Sequence, residues 1–117
     1  MSKNLQTVFE VTETFEKTAD TLISYFSMYH SEDDAISKID DVILAFEESK
    51  KTFPNSSAVS QELQSLGISD VRCSYRNGIK IFHTVEENPE YTKIILLFML
   101  TDKQSVSKQL INHCIQL

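Results

Sequence analysis

Residues 91–101, YTKIILLFMLT, constrain this chain more than any other stretch, because their apolar side chains cannot be confined to one face. Side chains alternate along a strand, so Ile94 to Leu100 would put hydrocarbon on both sides of a sheet. Such a strand belongs in a sheet interior, with most of both faces covered. The run holds seven residues, far short of the ~20 that cross a bilayer, so the cover has to come from protein. Leu97, at its middle, is expected inside the sheet core, where an aspartate would leave an unpaired charge and unfold the chain.

The rest of the chain reads as the elements that could cover it. TVFEVT, residues 7–12, alternates and predicts a short first strand. Thr12 or Thr14 can then cap a helix whose apolar residues Phe15, Ala19, Leu22, Ile23 and Phe26 share one helical face. HSEDDAI breaks that helix and starts another, with Ser31 as N-cap and Glu32, Asp33 and Asp34 in the first turn, where they suit the helix dipole. Ile36, Ile39, Ile43 and Phe46 predict its buried stripe, and Phe53-Pro54 ends it. Residues 13–53 therefore predict a helical hairpin, followed by a connector, PNSSAVSQELQSLGI, with one short helical turn. From Val71 onward the period becomes two, predicting strands near 71–75, 79–86 and 91–101. An amphipathic helix over Val106, Leu110, Ile111 and Cys114 closes the chain. The expected fold class is α+β, in one domain over residues 1–117. It comprises an N-terminal strand, an α-helical hairpin, a three-stranded antiparallel continuation completing a four-stranded antiparallel sheet, and a C-terminal helix.

The turn at Asn77-Gly78 decides which side chains share a face. Asn-Gly between alternating runs is the strongest short-range signal for a two-residue hairpin turn. That turn would pair Arg76 with Ile79 and mix core and solvent residues on both faces. A three-residue loop, Arg76-Asn77-Gly78, pairs Tyr75 with Ile79 and sorts the residues better. Val71, Cys73, Tyr75, Ile79, Ile81, His83 and Val85 then line one face, and Arg72, Ser74, Lys80, Phe82 and Thr84 the other. The three-residue turn is the expectation. It places Arg72 and Lys80 on the sheet face away from the helical hairpin, with Phe82 between them and Arg76 at the turn. A basic face with an exposed aromatic suits RNA or an acidic protein segment, unless the C-terminal helix covers Phe82.

Charge is divided unevenly in a chain of formal net charge −6. Residues 1–70 hold 5 basic and 13 acidic groups, and residues 71–117 hold 6 and 4. The acidic excess falls mostly on the helical hairpin, as a solvated outer face. Cys73, His83, His113 and Cys114 match no zinc spacing, and the cysteines read as buried structural thiols. With Gly67 and Gly78 as the only glycines, no phosphate-binding glycine loop can form. No metal or cofactor is expected. The N-terminus lacks an apolar stretch of signal-peptide length, so a cytoplasmic location is the default and no membrane association is expected.

The order of strand, helical hairpin, three strands and C-terminal helix resembles the RelE/ParE superfamily of bacterial toxins, including plasmid-stabilisation proteins. Locally, ELQSLGISDVR looks like the family's Leu-Gly-Ile lead-in to the second strand, and GIKIFHTV like its Tyr-Arg-Ile-x-Tyr strand. IILLFMLTDKQS looks like its fourth strand, which ends in a His-Arg-x-Gln-Asp segment. The resemblance implies a toxin of a type II toxin–antitoxin module, neutralised by a cognate antitoxin, as a dimer or a toxin–antitoxin heteromer. One branch of the family cleaves mRNA on the ribosome, and the other poisons DNA gyrase. By the same resemblance, Arg72 matches the second-strand arginine, Lys80 stands where the third strand has arginine, and His83 stands at the family's tyrosine. Lys103 and Gln104 match the basic-Gln end of the fourth strand. Thr101 and Asp102 replace the usual His and Arg, and Ser105 replaces Asp, so the cations that would stabilise a cleaved phosphate are thin.

Three functions follow as expectations. The first is a toxin that binds a protein target such as gyrase through Arg72, Arg76, Lys80, Phe82, Lys103 and Gln104. The second is a ribosome-dependent mRNA endoribonuclease in which Arg72, Lys80 and Lys103 bind phosphate. The third is a family member without toxicity that only binds its partner. RNA cleavage needs cations at the phosphate and a group to activate the 2′-hydroxyl, and a net charge of −6 opposes steering to the ribosome. The binding function is favoured.

Overall fold

Thr12 sets the direction of the whole molecule. It is the single residue between β1 (Gln6–Val11) and α1 (Glu13–Ser27) in the computed structural model, which describes residues 6–102 and residue 104. Its hydroxyl accepts from the Phe15 N–H at 3.0 Å and caps α1, while its own proton reaches the carbonyls of Leu96 and Leu97 at 2.9 and 3.0 Å. One residue leaves no room for a reversal, so α1 carries on in the direction of β1. Its contacts advance along the fourth strand accordingly. Thr12 meets Leu96, the Thr18 hydroxyl accepts from the Met99 N–H at 3.0 Å, and Tyr25 and Phe26 border Thr101 and Asp102.

The chain then reverses four times: before α2 (Glu32–Thr52), before β2 (Arg72–Arg76), before β3 (Ile79–Glu87) and before β4 (Tyr91–Thr101). An even number of reversals returns β4 to the direction of β1. The sheet, ordered β1-β4-β3-β2, is therefore mixed: β1 is parallel to β4, and only β2–β3 and β3–β4 are antiparallel. This corrects the expectation of an antiparallel sheet throughout. The α+β class, the helical hairpin, the three-strand meander and the interior position of β4 are as expected. The expected C-terminal helix lies outside the described residues.

Helix ends follow local chemistry. The Ser31 hydroxyl accepts from the Asp34 N–H at 3.1 Å, and Phe53 ends α2. The buried stripe of α2 is Ala35, Ile39, Val42, Phe46 and Lys50, with Ile43 partly buried. Ile36, expected in that stripe, is instead 38% exposed. A short helix, α3 (Gln61–Gln64), lies in the connector and sets Leu63 against the other face of the sheet.

Two apolar clusters result, one on each face. On the hairpin face, Phe15, Leu22, Ile39, Val42 and Phe46 pack on Ile79, Ile81, Ile94, Leu96 and Met99. On the opposite face, Leu63 and Val71 pack with Phe82, Phe98 and Leu100. β4 serves both through a bulge. Phe82 pairs with Phe98 but His83 pairs with Leu96, so Leu97 is the extra residue. The even positions Ile94 and Leu96 face the hairpin before the bulge, and the odd position Met99 does so after it. Leu97 itself is only half-buried, at the edge of the second cluster.

The turn between β2 and β3 has two residues, not three. Arg76 pairs with Ile79, and Asn77 and Gly78 both have positive φ, 52° and 78°. That is the backbone of a primed hairpin turn, which suits the twist of the strands and which Asn-Gly favours. The mixture of core and solvent residues is tolerated because β2 is an edge strand whose end, Tyr75 and Arg76, is exposed. A Cβ at Gly78 would meet nothing within 4 Å, so substitution there tests the backbone alone. Gly78→Val should cost on the order of 1–2 kcal/mol in urea unfolding. An unchanged midpoint would contradict the left-handed conformation.

Candidate functional site

The two-residue turn moves every β2 side chain to the face opposite the one expected. Arg72, Ser74 and Arg76 share the hairpin face with Ile79, Ile81 and His83, while Cys73 and Tyr75 share the other with Lys80 and Phe82. Arg72 and Lys80 therefore stand on opposite faces, and the expected basic sheet face does not form. The Arg72 guanidinium donates to the Ser57 carbonyl at 2.6 Å and to that of Asn55 at 3.5 Å, tying the connector to β2. Lys80 pairs with Glu62 of α3 at 3.1 Å. Phe82, expected as an exposed aromatic, is fully buried and stacks on Phe98 with ring centroids 4.6 Å apart. Gln104 folds back on the end of β4, its side-chain carbonyl accepting from the Thr101 N–H at 2.8 Å. Lys103 lies outside the described residues. Among the described members of the predicted set, Arg76 borders one open cleft and Arg72 another, the latter shared with Asp70 and Glu86.

His83 faces the core, as its position on β3 implies. Its ring meets Phe46 edge-on at 4.9 Å, Nδ1 lies 3.4 Å from the Ile81 carbonyl, and Nε2 has no partner. Burial pulls its pKa down to about 4, and the charges of Lys50 and Arg72 push it the same way. A neutral, fully buried imidazole does not reach a proton on a bound substrate, so His83 is a packing residue. Cys73 is half-buried, and that burial raises its thiol pKa, which keeps it protonated and unreactive. Among the described residues, no three His, Cys, Asp or Glu side chains cluster to hold a metal. No described helix is long and apolar enough to cross a membrane.

A cleft of about 370 Å³ lies between the end of α2, residues 56–58 and β2. Val42, Phe46, Ile79 and Ile81 form its apolar part, and Ser49, Lys50, Ser56, Ser57, Ser74 and Arg76 its polar part. Lys50 is 2% exposed. Its ammonium donates to the Ser56 hydroxyl at 2.8 Å and to that of Ser57, which is itself hydrogen-bonded to Ser74. The Phe46 ring lies 5.7 Å away, and the C-terminal end of α2 also favours a cation. Burial lowers the Lys50 pKa, and the nearby positive charge of Arg72 lowers it further. Sequence reasoning passed over Lys50. The signal was there: the stripe Ala35, Ile39, Val42, Phe46 continues at helical spacing to a lysine, followed by the Ser-rich connector.

Among known proteins, no family model and no curated protein matches this chain.

Proposed function

We propose that this chain is the toxin-like half of a bacterial toxin–antitoxin pair with a RelE/ParE-like fold. It inhibits growth in the cytoplasm by binding a protein target such as DNA gyrase, and a cognate antitoxin neutralises it. The family part rests on the order of strand, helical hairpin and three-strand meander, together with the resemblances in ELQSLGISDVR, GIKIFHTV and IILLFMLTDKQS. One observation favours recognition over cleavage. Arg72 is held by backbone carbonyls on one face and Lys80 by Glu62 on the other, with His83 buried between the helices and the sheet. Transition-state stabilisation of a phosphate needs cations that converge on it and a group to move the proton, and these residues do not converge.

The helical hairpin offers the recognition surface. Tyr25, Met28 and Tyr29 at the end of α1 are exposed, and Tyr25 meets Phe26 and Tyr29 edge-on at 5.3 and 5.5 Å. Glu32, Asp33 and Asp34 follow directly and supply a charged rim to this apolar anchor. Induced expression without the antitoxin should arrest growth, change plasmid supercoiling and leave mRNA intact. Tyr25→Ala with Tyr29→Ala should relieve the arrest by weakening target binding about tenfold or more. Codon-dependent mRNA cuts on translating ribosomes that vanish on Arg72→Ala or Lys103→Ala would overturn this reading in favour of an endoribonuclease. Unimpaired growth would leave only partner binding.

A further inference from the structure

Lys50 is a buried cation with no counter-ion among the described residues. The ion pairs among the described residues are Glu13–Lys17, Glu48–Lys51, Glu62–Lys80 and Glu10–Lys93, and none involves it. Taking an ammonium out of water costs several kcal/mol unless an opposite charge and hydrogen bonds offset the loss. Two serine hydroxyls offset part of it, and the neighbouring charge of Arg72 works against it.

The hydroxyls are also oriented. An ammonium only donates, so Ser56 and Ser57 accept from Lys50 and keep their own protons for other acceptors. Ser57 and Ser74 share one hydrogen bond, in which one of the two protons is used. The remaining donors, with Arg76, line the same cleft. The group that this arrangement lacks is an acceptor carrying negative charge. A phosphate monoester supplies three acceptor oxygens and close to two charges, more than a carboxylate brings. A cleft of about 370 Å³ exceeds what a phosphate fills and lies in the range of small-ligand sites, and Ala45 and Ala58 give its body an apolar wall.

We propose that the cleft at Lys50 binds the phosphate group of a small phosphorylated molecule, with Lys50, Ser56, Ser74 and Arg76 holding the phosphate. The site is separate from the Tyr25–Tyr29 surface, so its test is independent of the proposed growth inhibition. Isothermal titration of the full chain with inorganic phosphate, adenosine 5′-monophosphate and adenosine, at matched ionic strength in chloride, reads it directly. Both phosphate-bearing probes should bind and adenosine should not. Tighter binding of the nucleotide identifies a phosphorylated metabolite, and equal binding identifies free phosphate. Lys50→Met should abolish binding, and Arg76→Ala, at an exposed strand end, should weaken it about tenfold or more. No heat with either phosphate probe would overturn the proposal. Binding that persists undiminished in Lys50→Met, or in Arg76→Ala should the first variant fail to fold, would also overturn it.

Discussion

Leu96→Asp should abolish folding. Leu96 is completely buried on β4, the interior strand, and faces the helical hairpin with Ile94, Phe15 and Leu22 around it. Removing the leucine forfeits about 2–5 kcal/mol of burial and packing, and a carboxylate with no partner adds several more. Domains of this kind have about 5–15 kcal/mol in all, so the sum leaves no stable native state. Circular dichroism should show no cooperative thermal transition, and a soluble variant that melts cooperatively would refute the arrangement. Leu97→Asp is the contrasting case. The bulge turns Leu97 to the margin of the second cluster, beside Thr12 and Ile68, where it is half-buried. That variant should fold, with a loss of about 1–3 kcal/mol. The expectation that Leu97 sits at the heart of the core is thus transferred to its neighbour.

Stability should fall steeply as the pH drops below 6.5, with His83 as a principal cause. Burial lowers its pKa from 6.5 to about 4 in the folded chain. Between those values the unfolded chain binds a proton on this residue and the folded chain does not, so lowering the pH favours unfolding. The stability is present in full above 6.5 and is lost progressively as the pH approaches about 4, for a total of about 3 kcal/mol. Urea unfolding across this window measures the slope. His83→Leu should flatten it, because carboxylate titration is common to both proteins and cancels in the difference. The variant should lose little at neutral pH, since it also removes a buried Nε2 that has no hydrogen-bond partner. An unchanged slope in His83→Leu would show that the histidine titrates normally in the folded protein.

Much of the backbone could be read from short-range chemistry. Thr12 and Ser31 cap their helices through their own hydroxyls, Phe53 stops α2 ahead of Pro54, and the apolar face of α1 repeats at helical spacing. Each depends on residues within a few positions of one another. The turn is legible too, in Asn77-Gly78, whose preference for positive φ outweighs the mixing of core and solvent residues on each face. Uniform faces are not required, because α3 and the connector cover the second face over Phe82 and the end of edge strand β2 extends into solvent. The two-residue register is what separates Arg72 from Lys80, which a three-residue loop would join on one face. The candidate site was correspondingly hidden, since Lys50 meets Ser74 and Arg76 only across a tertiary cleft.

Helices, strands, their caps and the interior place of YTKIILLFMLT were already determined by local patterning, because capping and periodicity act within a turn or two of chain. The direction of β1 was not, since it depends on α1 continuing through Thr12 and on four later reversals. Nor was the bulge at Leu97, which exists because β4 must match β3 and fill two clusters of opposite parity. The burial of Lys50 also belongs to the tertiary structure. An amphipathic pattern shows which face of a helix turns inward, but the neighbours that meet it come from residues distant in sequence, and they decide whether a charge there is buried, paired or free to bind.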